Sequence, residues 1–249
     1  IFAINSKASD QMKYLKRIDL ENIKNLRDLG GVPTFDKRST KWHEYFRAAS
    51  LDDVKDIDIS DLKDLNISTI IDLRRENEID FKSESHKKIK DNFDYHHISL
   101  APDKEFRKEE IEKIISGKLS VGQSYRNLID HYEAVREIVK ALANAEGSAL
   151  FHCQEGKDRT GIVSMIIMGL ADVPRGDIIA DYETSSAHLG YIERYGEDEP
   201  YSIFRITDPY YMKEAYDYVI RKYDSFEDYL LYTKADPKDI KNLRRRIRD

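Results

Sequence analysis

Apolar residues along the chain recur in two distinct periods. From Gly122 to Ala145 the positions Tyr125, Leu128, Ile129, Tyr132, Val135, Ile138, Val139 and Leu142 return every three or four residues, which predicts one long amphipathic helix closed by Gly147. Ile67 to Leu73 (ISTIIDL) is instead β-branched and apolar on both faces, the pattern of a buried parallel strand, here ending at Asp72 and Arg74. Ser60 is the expected N-cap of a short helix before it, and Asn66 the expected stop. Tyr95 to Leu100 reads as a second strand, closed by Ala101-Pro102-Asp103. Ser148 to His152 (SALFH) reads as a core strand, and Thr160 to Leu170 as a helix apolar nearly all round, which must be buried. Beyond Pro174 the pattern is helical over 177–186, 210–223, 225–232 and 237–246. Strands alternate with helices early and helices dominate late. The expectation is an α/β fold, a central mainly parallel sheet flanked by helices, with a helical C-terminal layer or lid. No linker rich in Gly, Pro or Ser divides residues 1–249, so one domain is expected.

Composition narrows the function. Of 249 residues, 41 are Lys or Arg and 47 Asp or Glu, a net charge of −6. That balance argues against duplex nucleic acid as a partner, which requires a basic face. Hydrophobic residues at 40% and charged residues at 35% suit a globular core. No run approaches the ~20 apolar residues of a membrane span, so no integral membrane segment is expected. Residue 1 is Ile, which predicts a trimmed chain whose location is cytoplasmic or secreted. Cys153 is the single cysteine, so neither an internal disulfide nor a Cys-pair zinc site can form. His96 and His97 fall on opposite faces of a strand and cannot readily converge on a metal. Gly156-Lys157 lacks the upstream glycine and following Ser or Thr of a nucleotide loop. Neither a metal nor any other cofactor is expected.

The remaining chemistry is concentrated in one loop, His152-Cys153-Gln154-Glu155-Gly156-Lys157-Asp158-Arg159-Thr160-Gly161. It joins a core strand to a buried helix. Backbone N–H groups of such a turn, together with the helix N-terminus, form an anion cradle. Cys153 would lie at its floor, in a setting that favours a nucleophilic thiolate. Arg159 can hold two phosphate oxygens with a bidentate fork. Gln154, Glu155, Gly156, Lys157 and Thr160 complete the phosphate-binding turn. Gly156 allows the chain to turn inward, the Thr160 hydroxyl can reach the sulfur when it leaves, and His152 supports the loop. By average residue usage, this spacing of His, Cys, Gly, Arg and Thr around a given cysteine has a chance of roughly 10⁻⁵. A leaving oxygen needs a proton, and three aspartates compete to supply it: Asp158 within the loop, Asp103 in the Pro-Asp turn, and Asp72 at a strand end. Asp72 has the alternative reading of a structural partner to Lys157 or Arg159.

HCQEGKDRTG resembles the Cys-x5-Arg signature of the protein tyrosine phosphatase superfamily, and its GKDRTG half resembles the atypical bacterial and fungal branch acting on phosphotyrosine and phosphoinositides. The segments NLRDLGG (25–31), FRAAS (46–50), IDLRRENE (71–78) and the tail from Tyr223 are similar in the same order. The resemblance implies a cysteine-dependent phosphomonoesterase with a cysteinyl-phosphate intermediate. Phosphotyrosine proteins are the leading substrates, then phosphoinositides, whose extra phosphates Lys157 would meet, then inositol polyphosphates. In that branch a loop aspartate at the position of Asp158 is a proposed acid, whereas the turn at Asp103 resembles the mobile acid loop of the wider superfamily. Two departures, Glu155 in place of the commoner Ala and Ala48 where Arg-Ser is usual, bear on substrate preference, and Glu155, a carboxylate close to an anion site, is expected either to have a raised pKa or to turn outward. A non-catalytic phosphate-binding pseudophosphatase is the rival outside enzymes. Arsenate reduction would need further thiols, which this chain lacks.

Overall fold

The computed structural model describes residues 15–101, 108–194, 196 and 200–248. Five strands form one sheet: β1 (Arg27–Asp28), β2 (Tyr45–Ala48), β3 (Ile67–Asp72), β4 (Asp94–His97) and β5 (Ser148–His152). Their spatial order is β1-β2-β5-β3-β4, with only β1 antiparallel to its neighbour. The expected mixed α/β architecture is thus present. β5 is central, and its whole SALFH run is buried. Register pairs Ala48 with His152, His152 with Asp72 and Asp72 with His97. The carboxyl ends of four strands therefore share one sheet edge, where open α/β folds take their ligands.

Helices cover both faces. α1 (Asp56–Asp64) and α2 (Glu84–Asn92) lie on one side, where Ile59, Leu62 and Ile89 bury against Ile70 and Leu150. The second side carries α3 (Lys108–Ile115), α4 (Val121–Ser124), α5 (Arg126–Ile129), α6 (Tyr132–Asn144) and α7 (Asp158–Leu170). α8 (Arg175–His188), α9 (Pro209–Tyr223), α10 (Phe226–Tyr232) and α11 (Pro237–Arg248) complete that layer. α7 is buried nearly all round, as its sequence requires. It is the hub on which the C-terminal helices pack. Arg246 on α11 donates to the Gly147 carbonyl at 2.5 Å, and Arg244 pairs with Asp172 and Glu227, so the terminal arginines tie the last helix down.

Several boundaries differ from the sequence pattern for identifiable reasons. The single helix expected over 122–145 is three pieces, broken at Tyr125 and at Asp130-His131. Asp130 accepts hydrogen bonds from Tyr132, Tyr218, Tyr223 and Lys222, which hold the second break. Gly147 is no helix cap. It enters β5, where a Cβ would come within 2.7 Å of the Asn66 carbonyl oxygen. α1 starts four residues before Ser60, because Asp58 accepts from the Lys55 amide at 2.8 Å and fixes the first turn. Asn66 does stop the helix, at φ +59°. β4 ends at His97, short of Leu100.

Candidate active site

The loop 153–157 leaves the central strand and enters α7, and its backbone is held from outside. The Gln154 carbonyl accepts from the Ser50 amide at 3.0 Å. Asn25 Nδ2 donates to the carbonyls of Glu155 and Gly156, both at 3.0 Å. Arg47 Nη2 donates to the Gly156 carbonyl at 2.7 Å, and the Lys157 carbonyl caps Gly161 N at 2.8 Å. In a trans peptide the C=O of one residue and the N–H of the next point in opposite directions. Carbonyls 154 to 157 are drawn to the framework, so the N–H groups of residues 155 to 158 turn the other way, toward a common centre. Amides arranged in this way can receive an anion. Gly156 has φ +65°, and a Cβ there would lie 2.2 Å from the Ala48 carbonyl oxygen. Only glycine fits.

Cys153 is 2% exposed at the start of this loop. Arg159 projects from the first turn of α7, its Nη1 and Nη2 forked onto Glu78 at 2.6 and 2.7 Å. Burial works against the Arg159 charge, but the Glu78 hydrogen bonds and the neighbouring Cys153 outweigh it and raise the guanidinium pKa. For Glu78, burial is overcome by Arg159 and the Arg75 amide, which lower its pKa. Thr160 Oγ1 is fully buried with no hydrogen-bond partner, an orphan hydroxyl in the first turn of α7. His152 is buried with Nε2 3.6 Å from Asp72 Oδ2. Burial drives its pKa down despite Asp72, and its ring supports the strand end.

The three acid candidates separate. Asp158 Oδ1 accepts from the Tyr125 hydroxyl, which also contacts Tyr182, while Lys157 Nζ is 3.2 Å from Asp158. Asp158 and Arg159 line the same cavity of about 240 Å³. Asp72 is 1% exposed and grips Arg74 in a bidentate pair, with Tyr95 also donating to it. Burial alone would raise its pKa; His152 and the Arg74 guanidinium together hold it well below the usual carboxylate range. Its partner is Arg74, in place of the expected Lys157 or Arg159. Asp103 lies outside the described residues.

Lys157 is placed differently from expectation, whereas Glu155 turns outward, one of the two readings of its position. Lys157 is 2% exposed, and its Nζ donates to the Phe204 carbonyl at 2.5 Å, so the lysine anchors the 3₁₀ turn Tyr201–Phe204. Glu155 accepts from the Tyr191 hydroxyl. It turns to the segment that follows α8.

Residues that the spacing of the loop does not reveal complete the site. Beneath the cradle, Asp181 on α8 receives Arg27 Nε at 2.9 Å and Arg47 Nη1 at 2.6 Å. Burial would raise the Asp181 pKa, but the two arginines outweigh it and hold it well below the ordinary range. Burial, with Arg47 beside it, pushes Arg27 down to about 10. Two guanidinium groups and one carboxylate leave a net positive charge under the anion site. The signal for Arg27 and Arg47 was present in the NLRDLGG and FRAAS segments, which place charged residues inside short apolar runs, and no such signal marks Asp181.

A central parallel strand, a loop with a buried cysteine and outward-anchored carbonyls, and an arginine on the following helix form an arrangement that could hold an oxyanion. A model described as the tyrosine phosphatase family matches residues 18–249, and the chain belongs to that family. A curated relative, a tyrosine-protein phosphatase from Nostoc commune, is 34% identical over 102 residues, 40% of this chain and 34% of the relative. The chain thus aligns with about a third of the length of that relative. Among the described residues no helix is long and apolar enough to cross a membrane.

Proposed function

We propose that the protein is a phosphomonoesterase that uses Cys153 as its nucleophile, with phosphotyrosyl protein as the leading substrate. Its phosphoryl group sits in the cradle, on the N–H groups of residues 155 to 158 and the Arg159 fork. The sulfur of Cys153 attacks phosphorus, the S–P bond forms and the P–O bond to the leaving oxygen breaks, and Asp158 passes its proton to that oxygen. Water then attacks the cysteinyl-phosphate and gives its proton to Asp158, the S–P bond breaks, and Thr160 donates to the departing sulfur. Arg159 must exchange Glu78 for two phosphate oxygens, and Glu78 holds the fork in place until it does so. Nothing in these steps calls on a metal or other cofactor.

The observation that carries this reading is the outward anchoring of carbonyls 154 to 157 around a buried Cys153. Tyr125 and Lys157 fix the Asp158 carboxyl at the cavity wall. Ala101, Val121, Leu128 and Phe204 line the same space, an apolar surround suited to an aryl ring. A phosphoinositide or inositol polyphosphate ranks lower, because Lys157, the cation its extra phosphates would use, is bonded to Phe204. An assay in EDTA with phosphotyrosyl peptide, phosphoseryl peptide and phosphoinositide tests the ranking. The expected result is fastest release from phosphotyrosine and none by Cys153→Ser. Release that survives Cys153→Ser would overturn the mechanism, and binding without release by the wild type would make the protein a pseudophosphatase.

A further inference from the structure

Arg75 stands apart from the other cations around the cradle because, among the described residues, its guanidinium has no carboxylate within ion-pair distance, and the Glu78 whose charge it feels is already forked onto Arg159. Arg159 is forked onto Glu78, Lys157 onto Phe204 and its acidic neighbours, Arg74 onto Asp72 and Asp52, and Arg47 onto Asp181. Arg75 has no such ion pair among the described residues, and its Nε is buried without a hydrogen-bond partner. Such an atom is costly to leave unsatisfied. Its place is well defined. The Arg75 amide donates to Glu78 Oε2 at 2.8 Å, the oxygen that also receives Arg159 Nη1, and Arg75 and Arg159 line one cavity.

We propose that Arg75 forms a second anion subsite beside the phosphate cradle, and that it selects phosphotyrosyl peptides carrying an aspartate or glutamate next to the phosphotyrosine. The inference rests on the phosphatase reading above and adds what the substrate must carry outside its ring. Ala101, Val121, Leu128 and Phe204 line this cavity together with Ser124, Tyr125 and Asn127. An inositol ring would set some of its hydroxyl groups against the apolar residues without partners, a costly arrangement. An aryl ring buries there without that cost, which leaves the second anion to come from the peptide. Glu110 on α3 lines the same cavity, and among the described residues no ion pair joins it to Arg75. The subsite therefore acts through the placement of one fork, since the charge around the mouth is mixed. A partly buried guanidinium–carboxylate pair supports a preference of about tenfold.

The test compares kcat/KM for phosphotyrosyl peptides that differ only in Asp against Asn at each flanking position, in wild type, Arg75→Gln and Arg75→Glu. Wild type is expected to favour one Asp peptide about tenfold, Arg75→Gln to bring that ratio to about one, and Arg75→Glu to invert it. Each ratio is taken within one variant, so a loss of folded protein cancels. Turnover of both peptides by wild type at equal rates overturns the subsite while leaving the phosphatase reading intact. A ratio that persists in Arg75→Gln, or a phosphoinositide in phosphatidylcholine vesicles hydrolysed faster than any peptide, overturns it as well. Absence of turnover on every substrate overturns the phosphatase reading and the subsite with it.

Discussion

At the scale of single residues, the loop itself was legible in sequence and its supports were not. Cys153, Gly156, Arg159 and Thr160 take their positions from a local strand–loop–helix turn, and local geometry follows from spacing. Glu78, Asn25, Arg47 and Asp181 reach the site from 81 or more residues away in most cases, and no periodicity records such a meeting. Gly156→Ala is expected to cost about 1–2 kcal/mol from its left-handed backbone alone. The collision with Ala48 adds to this, so urea unfolding should show lower stability and the loop should lose its affinity for phosphate. For Asp158 the diagnostic is the leaving group. Asp158→Asn should slow turnover of a phenyl phosphate about 10²-fold or more, as loss of a general acid does, and slow a nitrophenyl phosphate much less. Equal slowing of both would show that Asp158 positions the site without passing a proton.

At the scale of elements, the strong apolar patterns gave β3, β5 and α7 correctly, and the weak points were short or polar segments. β1 and β2 are two and four residues long and carry Arg27 and Arg47 inside them, so they lack the alternation that marks a strand. They are possible only because Asp181 arrives from α8. The Arg27–Asp181–Arg47 cluster ties β1, β2 and α8 together beneath the loop. Asp181→Ala would leave two buried guanidinium groups facing each other, and a destabilisation of about 3–5 kcal/mol is expected, readable as a lower denaturant midpoint. The helix expected over 122–145 illustrates the opposite error. Its periodicity is real, yet Tyr125 turns its hydroxyl to Asp158 and Asp130 gathers three tyrosines, and these polar contacts interrupt a pattern that counts only apolar positions.

At the scale of the whole molecule, an acidic chain concentrates positive charge at one end of its sheet. Arg27, Arg47, Arg159 and the amides of the loop all lie at the carboxyl edge, where the proposed phosphate would gain most from them. The same concentration sets a limit at low pH. His188, half-buried and 3.3 Å from Asn25, is pushed down to about 4 by burial and by the nearby Arg27 and Arg17. Its folded value lies below the unfolded one, near 6.5, so its contribution is fully present above about 6.5 and is lost as pH falls toward about 4. Thermal melts of the wild type should fall across that window, and His188→Gln should flatten the fall. A slope unchanged in His188→Gln would assign the effect to other groups.

The central claim is that Cys153 carries the phosphoryl group, and the adduct itself is the most direct evidence. Protein mixed with phosphotyrosyl peptide in EDTA, quenched within the first turnovers and digested, should yield the Cys153 peptide heavier by one phosphoryl group. Cys153→Ser should give neither adduct nor phosphate release. Turnover that continues in Cys153→Ser, or wild-type turnover in which no phosphoryl group is ever found on Cys153, would contradict the account.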